Sequence, residues 1–363
     1  MRPLVGIPSY FVRPGQVGGA EYMFYNMVKG MSEALPGAVT VYEYAHRQLT
    51  NRAGGAIYDQ VPLKGNRFIA EAVTAVLKSP GTMLFPNYFT PSLTRSRSVT
   101  VIHDAQYRHF PQYFSGKKRA WLRASHWNTI RHADEVVAIS EYVRADLMRI
   151  YGRRAARVRV VPNPIDWAKF EGDVLASTGV GGRPYLLTVS AHYPHKNLGT
   201  LVKAFVEYRH QGGVHDLVLV GTPAGQLVGS AGADPLASLH GISIEDLGIT
   251  FTGHIDDSAL ATYYQNATAL LLPSLFEGFG MPAVEALGLG LPVVTSAIEP
   301  LLESTLGQAN YCDQPEDHHA WTEWMFAAER GQLHVPTPLE VDTIRQRYNA
   351  ARIGRLYAEV CCG

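Results

Sequence analysis

The feature that most constrains this chain is a rhythm of short apolar runs ending in polar residues, each followed by a stretch with helical patterning. Residues 4–7, 39–44, 83–88, 98–104, 135–139 and 158–161 read as strands of a first series. Residues 185–189, 217–220, 249–252, 269–272, 292–296 and 310–312 read as strands of a second. Helical patterning fills the gaps at 67–78, 116–132, 141–151, 198–210, 257–266 and 316–330, and a last helix is expected at about 340–360. Strands that alternate with helices pair in parallel and are covered on both faces. The chain is therefore expected to be α/β, with two Rossmann-like parallel-sheet lobes facing across a deep cleft. Its 363 residues fit two domains. Pro162-Asn163-Pro164-Ile165-Asp166 continues neither a helix nor a central strand and reads as the linker. The expected lobes are 1–165 and 166–339, with the helix from 340 to 363 packing back on the first. Residues 47–66 read as a loop, and 223–246 as a Gly/Ala-rich loop and helix.

The most informative stretch runs from Pro273 to Leu287. An apolar strand, 269–272, leads into Glu277-Gly278-Phe279-Gly280, and Pro282 suits the first turn of a helix. Backbone amides beside Gly278 and Gly280 can approach a ligand closely, and a helix start attracts an anion such as a phosphate. Glu277 before the helix and Glu285 inside it are not placed to bind phosphate. They suit sugar hydroxyls, or else are two solvated carboxylates on a packed strand–helix unit.

Other candidates also stand at strand ends, where ligands gather in open α/β sheets. Gly18 and Gly19 sit between the first strand and a helix, a second possible phosphate cradle. His103 and Asp104 end a strand, as do Asn87 and Tyr88. Lys196 lies in the turn Ser190-Ala191-His192-Tyr193-Pro194-His195-Lys196-Asn197 before a helix, well placed as a point charge for a phosphate. No Gly-x-Gly-x-x-Gly fingerprint follows the first strand and no Walker sequence occurs, which argues against dinucleotide and P-loop chemistry.

Overall neutrality hides an asymmetry. Residues 1–167 hold 22 Lys and Arg against 11 Asp and Glu, and residues 168–363 hold 10 against 21. A basic half suits anionic lipid or an anionic acceptor; equally, the two halves could attract each other. The stretch 116–132 sets Lys117, Lys118, Arg119 and Arg123 beside Trp121 and Trp127, a pattern of a membrane-surface helix or of a solvated face. Three cysteines, Cys312, Cys361 and Cys362, lack metal-ligand spacing and imply no disulfide framework. No apolar run reaches the length of a membrane span, and the N-terminus carries no signal-peptide pattern. A cytoplasmic location is expected, with peripheral contact at the inner face of the membrane left open. Nucleic acid is not an expected partner.

Several pieces together resemble glycosyltransferase family 4, retaining enzymes of the GT-B fold. They are Gly18-Gly19-Ala20-Glu21, Thr100 to Asp104, Ala138-Ile139-Ser140-Glu141, Val161 to Asp166, Pro194-His195-Lys196-Asn197, Phe251-Thr252-Gly253, and Pro273 to Glu285 followed by Gly290 to Ser296. The resemblance implies that Glu277 holds donor-sugar hydroxyls and that Gly278, Phe279, Gly280 and Met281 line the donor. It implies that Glu285 takes the ribose and that Lys196 pairs with the diphosphate. Gly18 and Gly19 would close on the phosphates, His103 would meet the sugar near the reacting carbon, and Gly253, His254 and Ile255 would border the base. Asn87, Tyr88 and Asp104 are the acceptor-side candidates. Many members carry an Arg shortly before the Lys. Here Ser190 and Ala191 occupy those positions, and His192 and His195 are the candidates to replace the missing cation.

The implied activity is retaining, metal-independent transfer of a hexose from a nucleoside diphosphate sugar to a saccharide, lipid-linked or small-molecule hydroxyl. No cofactor is expected. Mannose from a guanosine carrier is slightly favoured by the segments around His103 and Asn87. A GT-B phosphorylase, a nucleotide-sugar epimerase and a non-catalytic nucleotide-sugar-binding partner are the alternatives.

Overall fold

A computed structural model describes residues 4–13, 19–47, 49, 54–171, 182–222 and 244–363. Gly18 and residues 223–243 lie outside the described residues. The chain divides into two compact units, Met1–Asp166 with Tyr348–Gly363, and Trp167–Arg347.

The first unit holds strands β1 (Val5–Pro8), β2 (Val39–Tyr44), β3 (Ile57–Val61), β4 (Thr82–Phe85), β5 (Arg97–Ile102), β6 (Glu135–Ala138) and β7 (Arg159–Val160). Their order is β3-β2-β1-β4-β5-β6-β7, and every pairing is parallel. The central strands β1, β2 and β4 are buried along their whole length. Burial on both faces removes the apolar–polar alternation from β1 and β4, whereas β2 buries Thr40 and Glu43 as well, Glu43 Oε2 accepting from Leu49 N–H at 3.0 Å. β3 corrects the expectation of a loop over 47–66. Its Ile57-Tyr58-Asp59-Gln60-Val61 is largely exposed, because an edge strand needs no apolar run. Pairing with Thr40–Tyr44 of β2 makes it a strand.

The last helix is also not continuous. It breaks into Pro338–Tyr348 and Ala350–Cys362. Asn349 caps the second piece, its Oδ1 accepting from the N–H groups of Ala351 and Arg352 at 2.9 and 3.3 Å. The second piece packs in the first unit against helix Gly19–Ala34. Gly30 faces Gly354 so closely that a Cβ on either would overlap the other helix's backbone. The carbonyl of Cys361, at the helix end, accepts from Thr82 Oγ1 at 2.6 Å and from Arg97 Nη1 at 3.2 Å. These donors satisfy a group the helix itself leaves open.

The second unit holds β8 (Tyr185–Val189), β9 (Asp216–Val220), β10 (Ile249–Gly253), β11 (Ala269–Leu272), β12 (Val293–Ser296) and β13 (Asn310–Cys312). The order is β10-β9-β8-β11-β12-β13, again all parallel. Leu186, Leu201, Phe205, Leu219, Leu271, Trp321 and Met325 form its buried core. The chain winds outward from β8 in one direction and from β11 in the other. The gap between the C-terminal ends of β8 and β11 is thus the topological switch point, the standard ligand crevice of a doubly wound sheet. Among the described residues no helix is long and apolar enough to cross a membrane.

Candidate active site

The loops that leave β8 and β11 meet at this switch point. The N–H of Leu275 donates to the carbonyl of His195 at 2.8 Å, which fixes one loop against the other. After β8, a single 3-10 turn, Pro194–Lys196, ends at Asn197, whose φ of 57° reverses the chain into helix Leu198–His210. Asn197 Nδ2 holds that conformation by donating to the Pro315 carbonyl at 2.7 Å. Lys196 consequently points across to the β11 loop, where its Nζ donates to Glu277 Oε1 at 2.6 Å. Ser274 Oγ, fully buried, donates to the same oxygen at 2.8 Å. Glu277 Oε2 has no protein partner among the described residues. The carboxylate is therefore anchored by one oxygen with the other left to accept.

Gly280 sits at φ 92° before helix Met281–Gly288, with Pro282 in its first turn. A Cβ there would run into the Leu301 side chain, so the turn that aims the helix start at the switch point requires glycine. Phe279 and Met281 beside it are buried. One turn into the helix, Glu285 is also buried, and its Oε2 accepts from Tyr264 Oη at 2.9 Å. Burial pushes its carboxyl up to about 7, against the opposing effects of the Tyr264 hydrogen bond and Lys169, while Asp257 adds to the rise. Lys169 and Asp257 themselves pair at 3.0 Å.

Ser190, His192 and His195 all lie on the loop after β8. Ser190 Oγ donates to its neighbour's carbonyl, of Ala191, at 2.9 Å. His192 is buried with its ring edge-on to Phe251. The His195 ring stacks on Tyr193, and burial, reinforced by Lys196, pushes its imidazole down to about 2. Both histidines are candidates to replace the missing Arg charge. Burial and Lys196 hold His195 neutral at pH 7, able to offer hydrogen bonds but not charge. Gly253 ends β10 with its carbonyl accepting from Gly221 N–H at 2.9 Å. His254 beyond it is exposed and Ile255 half-buried.

The first-unit candidates occupy the C-terminal edge of their own sheet. His103 follows β5 and donates from Nε2 to the Pro86 carbonyl at 2.8 Å, leaving Nδ1 as the acceptor nitrogen. Burial holds its pKa below the usual range, with Pro86 and Asp104 opposing. Asp104 Oδ1 accepts from Gln106 N–H at 2.9 Å. The Tyr88 hydroxyl accepts from Arg67 at 2.9 Å, and its carbonyl accepts from Thr129 Oγ1 at 3.0 Å. Asn87 precedes it, half-buried. Gly19 opens helix Gly19–Ala34 and is exposed; its neighbour Gly18 lies outside the described residues.

Sequence reasoning missed Ser274 and Tyr264. Ser274 is three residues before Glu277, so a small hydroxyl preceding a loop carboxylate was a usable signal. Tyr264 is on a different helix, Asp257–Asn266, and only the fold brings it to Glu285. One group among the described residues has the makings of a metal site: Glu207, His318 and His319, whose ligand atoms lie within 4.8 Å of one another. Glu207 is near the end of helix Leu198–His210, which runs back away from the switch point.

Two doubly wound parallel units with polar groups gathered at their strand ends define the GT-B class. The structure aligns with a sucrose-phosphate synthase from Thermosynechococcus elongatus at a TM-score of 0.76, over 99% of both chains at 18% identity. It aligns with HepE from Anabaena, solved with UDP and glucose, at 0.74 over 100% of both chains at 17% identity. Two family models match in succession, Glycosyltransferase Family 4 over residues 17–169 and Glycosyl transferases group 1 over residues 183–326. The chain belongs to glycosyltransferase family 4. It is 25% identical over 246 residues to an O-antigen chain mannosyltransferase B of Escherichia coli, covering 64% of this chain and 61% of that protein. It is 31% identical over 188 residues to a D-inositol 3-phosphate glycosyltransferase of Kineococcus radiotolerans, covering 49% and 42%. The matched region thus spans about 61% of the length of the mannosyltransferase.

Proposed function

We propose that the chain transfers a hexose, mannose before others, from a nucleoside diphosphate sugar to a hydroxyl of a saccharide, lipid-linked or small-molecule acceptor. The observation that carries the reading is the Lys196–Glu277–Ser274 cluster at the β8/β11 switch point. A carboxylate fixed through Oε1 and accepting through Oε2 suits sugar hydroxyls. A lysine beside it suits the β-phosphate oxygen on which negative charge grows as the bond to the sugar breaks. Stabilising that charge with a preorganised cation and with the amides at the start of helix Met281–Gly288 is electrostatic catalysis of the usual kind. Glu285 takes the ribose hydroxyls, and Gly253, His254 and Ile255 border the base. His103, with Nδ1 left to accept, is the first unit's candidate for a sugar hydroxyl. The acceptor is taken by the first unit, with Asn87, Tyr88 and Asp104.

The similarity to a protein named as a mannosyltransferase supports mannose. Attack occurs on the face the diphosphate leaves, so configuration is retained, and the departing phosphate takes the acceptor proton. The reaction needs no metal. The protein works in the cytoplasm. The test is binding and turnover over a panel of GDP-, UDP- and dTDP-sugars in the presence of EDTA. Turnover of one of them with release of its nucleoside diphosphate is expected. Binding without transfer to any acceptor would favour a non-catalytic partner, and no binding of any would refute the reading.

A further inference from the structure

The second unit holds a cluster of polar side chains that the donor reading does not use. Helix Leu198–His210 carries Glu207 near its end, and helix His318–Glu329 begins with His318 and His319. Glu207 lies roughly 13 Å along the helix axis from Leu198, and so from the turn that holds Lys196. A ring nitrogen of each histidine and a carboxylate oxygen of Glu207 lie within 4.8 Å of one another. His319 Nδ1 is 2.9 Å from Glu207 Oε2, and His318 Nε2 is 3.6 Å from the same oxygen. The two imidazole rings stand 4.1 Å apart between centroids. A hydrogen bond accounts for the contact of Glu207 with His319. It does not account for His318, whose nitrogen is too far from the carboxylate for one.

Tetrahedral zinc takes bonds of about 2.0–2.2 Å to imidazole nitrogen and carboxylate oxygen, which sets neighbouring ligand atoms roughly 3.3 Å apart. The edges of 2.9 and 3.6 Å lie on either side of that spacing. The third edge reaches it by a movement of at most about 1.5 Å, well within a rotamer change of side chains this exposed. The carboxylate is supported from behind, as a ligating carboxylate is. Gln211 Nε2 donates to Glu207 Oε1 at 3.0 Å. Thr322 Oγ1 stands 3.3 Å from Oε2 and 3.1 Å from the Ala204 carbonyl. Asp317 caps the second helix, its Oδ1 accepting from His319 N–H at 2.9 Å, and its charge offsets the repulsion that a helix start offers a cation. The His318 and His319 side chains are 38% and 66% exposed, which gives an ion its way in.

We propose that Glu207, His318 and His319 bind one divalent ion of the zinc class, with water as the fourth ligand, and that the ion clamps the end of helix Leu198–His210 to the start of helix His318–Glu329. Two nitrogens and a carboxylate oxygen suit zinc, cobalt, nickel or copper, whereas magnesium and calcium take oxygen ligands. The segment before His318 is already held to the other end of the first helix. There the Pro315 carbonyl accepts from Asn197 Nδ2 at 2.7 Å and from Trp321 Nε1 at 3.0 Å. The ion fixes the same segment at a second point and so stabilises the second unit. It takes no part in the transfer, and the site stands whether or not the donor reading does.

The test titrates the full chain, freed of metal with EDTA and dialysed, with cobalt(II) chloride in excess magnesium chloride. One cobalt per chain is expected, with the visible absorption of a four-coordinate ion. Cobalt or zinc chloride should raise the melting temperature, and magnesium chloride should not. Glu207→Gln, His318→Gln and His319→Gln should each weaken cobalt binding at least ~10-fold, the least that loss of even an outer-shell partner costs a metal site. The two histidine variants change only exposed or half-exposed side chains at a helix start, so they carry the test if Glu207→Gln fails to fold. A lowered metal-free melting temperature with undiminished cobalt affinity would mean that the three groups only hold the helices together, and would overturn the proposal. Cobalt binding of equal strength in the parent and in both histidine variants would mark adventitious binding by other surface histidines and overturn it too. So would competition by magnesium on equal terms, or failure of the parent to bind cobalt.

Discussion

Glu285 offers a pH signature that only its buried setting produces. Its carboxyl sits at about 7 rather than the ordinary 4.5. Between those two values the native state holds a proton that the unfolded chain has lost, so stability falls as pH rises through the window. At 1.36 kcal/mol per unit, a rise from 4.5 to about 7 corresponds to about 3 kcal/mol, fully in force above pH 7 and absent below about pH 4. Glu285→Gln keeps a side chain that can accept from Tyr264 but cannot ionise. The variant is expected to be more stable than the parent by less than ~1 kcal/mol at pH 5 and by about 3 kcal/mol at pH 8. Urea unfolding at pH 5, 6, 7 and 8 measures this directly. A gap that widens with pH supports the assignment, and parallel curves would refute it. If Glu285 takes ribose hydroxyls as a carboxylate, nucleotide binding lowers its pKa and releases a proton near pH 6.5. Calorimetry in buffers of different ionisation enthalpy reads that release.

Two further outcomes are expected. Lys196→Ala should weaken nucleoside diphosphate binding ~10- to 100-fold, since a charged hydrogen-bond donor to a phosphate oxygen is lost; unchanged affinity in a titration would assign the phosphate to other groups. Gly354→Ala should destabilise the protein by ~2 kcal/mol or more in chemical unfolding, because its Cβ meets the Gly30 backbone; a neutral effect would mean the two helices can part at little cost.

Much of the fold was legible because buried parallel strands announce themselves. The run Ala269-Leu270-Leu271-Leu272 needs no partner to be read as a strand, and Pro282 marks a helix start by local chemistry. β3 was not legible, since Asp59 and Gln60 on an edge look like loop residues until β2 pairs with them. Nor was the break at Asn349, where a cap residue sits inside an otherwise helical pattern. For the site, Glu277, Glu285 and Lys196 stood out through motif and position. Their interactions did not: Lys196 and Glu277 are 81 residues apart, and Tyr264 reaches Glu285 from another helix. The electrostatics were least legible. Whether His195 carries charge depends on burial and on Lys196, and no pattern in the Ser190–Asn197 loop states either. The basic character of the first half was plain in composition.

The most direct test of the account is turnover of the preferred nucleotide sugar by the parent and by Glu277→Ala. The carboxylate is anchored through Oε1 by Lys196 and Ser274, and in the proposed function its Oε2 accepts from a donor hydroxyl. Its removal should lower turnover by ~10²-fold or more, the order expected for loss of a positioned polar contact in the transition state, with the fold intact by circular dichroism. Near-normal turnover in Glu277→Ala would contradict the central claim that the β8/β11 switch point holds the donor sugar.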